Sequence, residues 1–199
     1  MNIPTLTVIA GPNGAGKSSH SKSLVADFGI EAFDFDKEFY SAWKKFGYDP
    51  VIEEGVKNSI TEKFNQGLDF AFSKKNHFAF ETNFNNPLVI DHVRRAKAEG
   101  LQTNLIYIGL SSPKQAEFRV NRRVQKKGHF VDVETIHERF YAGLDMLDNH
   151  YQEFDLISIY ESQDNYQNTL CGYKNNNHLV LMETPSFSQY IQNILTNWG

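Results

Sequence analysis

The spacing of apolar and polar residues divides the chain into alternating strand-like and helix-like stretches. Thr5 to Ala10 is a short apolar run, the mark of a buried strand, and Ser18 to Phe28 follows with helical spacing. Glu31 to Asp36 predicts a second short strand. Lys37 to Phe46 predicts a helix with Phe39, Trp43 and Phe46 on one face, and Pro50 opens a longer one carrying Val56, Ile60 and Phe64 at four-residue spacing. His77 to Glu81 predicts the third strand. Asn86 and Pro87 read as the cap and first turn of a helix that stops at Gly100, and Leu105 to Gly109 as the fourth strand. Ser112 and Pro113 start a helix running to about Lys127, and Val133, Ile136, Phe140, Leu144 and Leu147 form the apolar stripe of the next. Asp155 to Tyr160 predicts the fifth strand. Thr169–Tyr173 and His178–Glu183 read as a hairpin around an Asn-rich turn. Ser186 to Trp198 closes the chain as a helix, with Phe187, Ile191, Ile194 and Leu195 as packing positions. Strands alternating with helices imply a mostly parallel five-stranded sheet covered on both faces, plus a C-terminal hairpin and helix.

Length and composition narrow this α/β reading. At 199 residues the chain is expected to form one domain, 1–199, with a lid helix at about 113–130 and an appendage at about 165–199. The formal net charge is -4, which argues against a protein that grips nucleic acid mainly through its phosphates. Hydrophobic residues at 40% and charged residues at 22% exclude a disordered chain. Cys171 is the single cysteine, so neither an internal disulfide nor a thiolate zinc cluster is available. His129 and His137 are eight apart, not at zinc-helix spacing. No apolar run approaches the length of a membrane span, and the N-terminus runs straight into a strand, so a cytoplasmic protein with no membrane partner is expected.

The strongest chemical signal is Gly11-Pro12-Asn13-Gly14-Ala15-Gly16-Lys17-Ser18, which fits G-x-x-x-x-G-K-[ST] between a strand and a helix. Glycines let the backbone turn with its N–H groups inward, so a phosphate chain sits on those donors and on the positive end of the following helix. Lys17 would reach the β- and γ-phosphates, and the Ser18 hydroxyl would coordinate Mg²⁺. Residues 11–18, with Ser19 beside them, are the expected ATP site.

Ligands of open α/β sheets bind outside the carboxyl ends of the strands, where two acidic features fall. Asp34-Phe35-Asp36 ends the second predicted strand, with both acids on one face, and Glu81 ends the third. A kinase needs a carboxylate to orient the acceptor hydroxyl and take its proton, and Asp36, at the strand tip, is the candidate, against the plainer reading that it caps the next helix. Asp34 is either structural or a holder of metal-bound water; Glu81 holds either the acceptor or Mg²⁺-bound water. The helix from Pro113 carries Arg119, Arg122, Arg123, Lys126 and Lys127, with Arg119 and Arg123 one turn apart. It reads as a source of phosphate-clamping guanidinium groups or as a solvated basic face.

The glycine loop, Asp34-Phe35-Asp36, Phe80-Glu81-Thr82, Arg119-Val120-Asn121-Arg122-Arg123-Val124, Gly128-His129-Phe130-Val131 and Arg139-Phe140-Tyr141, in that order, resemble the zeta-toxin family of small P-loop kinases, in its short branch. The resemblance covers about Thr5 to Tyr160 and implies a P-loop kinase-like three-layer sandwich. It further implies ATP–Mg²⁺ as donor, and as acceptor a sugar hydroxyl of a UDP-sugar such as UDP-N-acetylglucosamine, with an antitoxin protein as partner. By position, Asp36 becomes the base, Glu81 and Thr82 line the acceptor pocket, and Arg119 clamps phosphate. Where larger members carry a second lid arginine, Arg123 or His129 stands in. Lys17, Asp36, Arg119 and Arg123 are thus the expected catalytic set, and Asp36, Glu81, Thr82 and His129 the expected acceptor contacts.

Overall fold

The computed structural model describes residues 3–125, 130–165, 167–175, 178–182 and 189–198. Strand β1 (Thr5–Ala10) is buried at every position, as its apolar run requires. Helices α1 (Lys17–Leu24), α2 (Phe35–Lys44) and α3 (Glu53–Lys74) follow, then β2 (Phe78–Thr82), α4 (Leu88–Ala98) and β3 (Gln102–Gly109). Next come α5 (Pro113–Gln125), α6 (Val133–His150) and β4 (Leu156–Ser162), and last β5 (Asn168–Asn175), β6 (His178–Leu181) and α7 (Gln189–Asn197). The strands form one sheet in the order β2-β1-β3-β4-β5-β6. β1 to β4 run parallel to one another, β5 is antiparallel to β4 and β6 is antiparallel to β5.

Alternation along β1 sets the layers. Leu6, Val8 and Ala10 face the main core, which takes Phe64, Leu68 and Phe72 from α3, Val89, Ile90 and Val93 from α4, and Phe140 and Leu147 from α6. Ile9 faces the other way, into a smaller cluster with Ala79, Val25 and the half-buried Leu24. Helices therefore cover both faces, as the period changes in the sequence require. A third cluster, Phe39, Val56 and Ile60, fastens α2 to α3. No described helix is long and apolar enough to cross a membrane.

Two expectations are corrected. Residues 31–36 do not form a strand. Only Phe33 pairs, its N–H donating to the Ala79 carbonyl and its own carbonyl accepting from the Glu81 N–H, both at 2.8 Å. Extension stops there because the Asp34 carboxylate accepts the Lys37 N–H at 3.0 Å and starts α2. Asp34, not Asp36, is the cap, and Asp36 lies in the helix's first turn. The C-terminal hairpin is not an appendage to a five-stranded sheet; β5 pairs with β4 and extends the sheet to six strands. Lys126, Lys127, Gly128 and His129, and Phe187 of the expected C-terminal packing stripe, lie outside the described residues. Ile191 and Ile194 of that stripe are buried.

Candidate active site

The loop after β1 turns where no side chain could follow. Gly11 has φ 141°, and a Cβ there would stand 2.2 Å from the Ile108 carbonyl oxygen. The chain then enters α1 through Gly16, with no side chain capping the helix, so the N-terminal N–H groups are left for a ligand. From the first turn Lys17 folds back under the loop. Its ammonium donates to the carbonyls of Gly11 at 2.6 Å and Pro12 at 3.1 Å and to Asn83 Oδ1 at 3.1 Å. Burial outweighs the pull of Glu81, Asp36 and Asp34, and with Arg123 also repelling, lowers its pKa to about 8.

Ser18, the next residue, meets two carboxylates. Its Oγ lies 2.8 Å from Asp34 Oδ2 and 2.6 Å from Glu81 Oε2. One hydroxyl proton cannot serve both oxygens. Glu81 is 8% exposed, and burial, reinforced by the nearby Asp34 charge, raises its carboxyl pKa against the opposing Ser18 hydrogen bond. A hydroxyl facing two crowded carboxylates is oxygen chemistry that suits Mg²⁺, which keeps several of its waters. Among the described residues no group of three or more His, Cys, Asp or Glu could hold a metal ion unaided. A cation here would therefore lean on Ser18, on phosphate oxygens and on water bridged to Asp34 or Glu81.

These groups open into one cleft of about 1440 Å³, lined by the P-loop, the start of α2 and the end of β2. Lys17, Ser18, Ser19, Asp36, Glu81, Thr82, Arg119 and Arg123 of the expected site all line it, together with Arg122. Arg119 is 5% exposed, and its guanidinium donates to the Ser162 hydroxyl at 2.8 Å, to the Ser162 carbonyl at 3.2 Å, to the Gln163 carbonyl, and more weakly to the Gly14 carbonyl at 3.5 Å. It binds the P-loop and α5 to the end of β4. Arg122 and Arg123 are the exposed pair, and the Arg122 guanidinium lies 5.7 Å from the Phe118 ring.

Tyr40 and Tyr48 line the cleft as well. Trp43 packs against both and donates from Nε1 to the Asp49 carbonyl at 2.8 Å, which holds the turn that carries Tyr48. The sequence reading missed two residues. Asn83, which follows the strand-end acid, touches Lys17. Arg139 on α6 donates to Asn13 Oδ1 at 3.4 Å, and its only sequence signal was its place in the Arg139-Phe140-Tyr141 run.

A nucleotide loop at the end of a parallel strand, a Ser flanked by acids and a cleft on one side define a P-loop protein of the kinase-like type. The Zeta toxin family matches residues 2–178, and the chain belongs to that family. No curated protein matches it in sequence. Among solved structures it is similar to the PezAT chromosomal toxin–antitoxin system of Streptococcus pneumoniae, with TM-score 0.65 and 13% identity over 100% of this chain and 85% of that one. It is also similar to the AvrRxo1-ORF1:AvrRxo1-ORF2 complex, with TM-score 0.71 and 12% identity over 98% of this chain and 64% of that one. That complex has also been crystallised with ATP. At these identities the likeness is one of fold.

Proposed function

We propose that the chain is an ATP-dependent kinase that phosphorylates a sugar hydroxyl of a UDP-sugar such as UDP-N-acetylglucosamine, and that it is the toxin of a toxin–antitoxin pair. One observation carries the kinase reading: Asp36 faces the same cleft as the P-loop lysine, with room for donor and acceptor side by side. The loop N–H groups and Lys17 bind the phosphates and hold them in line. Asp36 accepts the proton of the acceptor hydroxyl as its oxygen bonds to the γ-phosphorus, and the bond to the β-phosphate oxygen breaks to leave ADP. Ser18, with Asp34 or Glu81 through water, would hold magnesium, which would supply positive charge to the phosphate oxygens. Arg123 adds charge from the mouth of the cleft, while Arg119 keeps the loop in shape. Glu81 and Thr82 sit on the acceptor side, and the reading puts the protein in the cytoplasm, where ATP is abundant.

The test is labelled ATP with a panel of UDP-sugars, NAD, nucleosides and oligonucleotides. Label transfer to a UDP-sugar supports the proposal; transfer to another member reassigns the acceptor; hydrolysis that no member stimulates favours a nucleotide switch. Asp36→Asn is expected to slow transfer by roughly 10²–10⁴-fold while nucleotide affinity stays near wild type. Full transfer by that variant removes the assigned base. For the toxin reading, expression in a bacterial host arrests growth and Lys17→Ala does not.

A further inference from the structure

Asn83 sits between the two halves of the cleft, and its carboxamide has two ends. The oxygen accepts from the Lys17 ammonium at 3.1 Å. With the Gly11 and Pro12 carbonyls it completes three acceptors for the three N–H donors of that lysine. The amide nitrogen has no hydrogen-bond partner among the described residues, although Asn83 lines the cleft beside Thr82. One end thus holds the phosphate-binding lysine, and the other offers donors to whatever lies on the acceptor side.

The backbone at Asn83 is held from three directions. The Thr82 hydroxyl accepts the Phe84 N–H at 2.9 Å. Phe84 adopts φ 58°, a left-handed conformation costly for a phenylalanine, and is fully buried near Tyr107 and Phe154. Across from it, a Cβ on Gly143 of α6 would stand 2.9 Å from the Asn83 carbonyl oxygen, so only glycine lets the helix approach this closely. A strained residue fixed by its surroundings, next to a side chain that touches the P-loop lysine, is the pattern of a preorganised site.

Building on the kinase reading, we propose that Asn83 is a positioning residue that ties the acceptor to the P-loop lysine: its oxygen holds Lys17 in the nucleotide-free chain, and its N–H donors take an oxygen of the acceptor. Lys17 exchanges the Asn83 oxygen for phosphate when nucleotide binds, and the carboxamide then orients the acceptor toward the γ-phosphoryl group.

Two measurements on wild type, Asn83→Ala and Asn83→Asp judge the two ends separately. Calorimetric binding of a non-hydrolysable ATP analogue with Mg²⁺ reads the lysine end. Removing the competing oxygen in Asn83→Ala leaves affinity equal or higher, whereas the carboxylate of Asn83→Asp pins the ammonium and lowers it. Steady-state transfer to UDP-N-acetylglucosamine, or to the panel member that accepts phosphate, reads the other end. Both variants raise the acceptor KM by roughly three- to tenfold, the worth of one hydrogen bond, with the ATP KM of Asn83→Ala unchanged. A purely structural asparagine would shift both KM values together. An unchanged acceptor KM in both variants, or analogue affinity in Asn83→Ala falling as far as in Lys17→Ala, overturns the inference. A wild type that binds nucleotide yet phosphorylates nothing overturns the kinase reading and the acceptor end, and the calorimetry still decides the lysine end.

Discussion

Lys17 illustrates the conflict that burying an ammonium group brings to a fold. Its three hydrogen bonds do not offset its burial enough to keep the ordinary affinity for a proton, and the pKa falls from 10.5 to about 8. Between those values the unfolded chain binds the proton more tightly than the folded one, so stability rises with pH across that window, and the charge is a burden below it. In EDTA and without nucleotide, Lys17→Met is therefore expected to be more stable relative to wild type at pH 7 than at pH 10, by thermal melts at both, while being inactive in transfer. A gap that widens with pH contradicts the assigned shift. Glu81 acts in the opposite sense: its raised pKa favours the protonated folded form, so its contribution weakens as pH climbs through that raised value.

At the scale of elements, α6 comes close to the residues that follow β2, with Gly143 against the Asn83 carbonyl. Gly143→Ala inserts a methyl against the Asn83 carbonyl and within 3.5 Å of the buried Tyr107 hydroxyl. It is expected to cost about 1–3 kcal/mol in denaturant unfolding and to raise the acceptor KM, although residue 143 touches no ligand. Stability loss with an unchanged KM would detach α6 from the site. The start of α2 was legible as a polar–apolar boundary, but not its mechanism. Asp34-Phe35-Asp36 looked like a strand end because alternation and helix onset give the same short pattern. The deciding fact was a lateral partner: Phe33 has the edge of β2 beside it for one residue only, and Asp34 then satisfies the Lys37 N–H.

Across the whole molecule, Arg119 joins residues far apart in sequence. It links the P-loop to the β4 terminus through the Gly14 carbonyl and the Ser162 hydroxyl and carbonyl. Arg119→Lys keeps the charge but loses the planar fork, and is expected to lower stability by roughly 1.5–3 kcal/mol and to weaken nucleotide binding through a loosened loop. Thermal melts with and without nucleotide separate the two effects, and retention of both would assign the guanidinium no structural duty. The same long-range ordering explains the sheet. The hairpin's strands were recognisable from their turn, but their antiparallel addition to β4 depends on a free edge that local pattern does not reveal.

The sequence alone determined the α/β layering, the P-loop with Lys17 and Ser18, and the strand-end acid Glu81, because hydrophobic period and a fixed-spacing motif are local properties. It also carried the family, through motifs whose order is itself sequence. Tertiary structure alone decided that Asp34 and Glu81 converge on one hydroxyl, that Arg119 reaches the end of β4, and that Asn83 reaches the lysine. Each of these joins residues on different elements, and which side chains meet there depends on how the strands and helices pack, a relation that no spacing along the chain encodes.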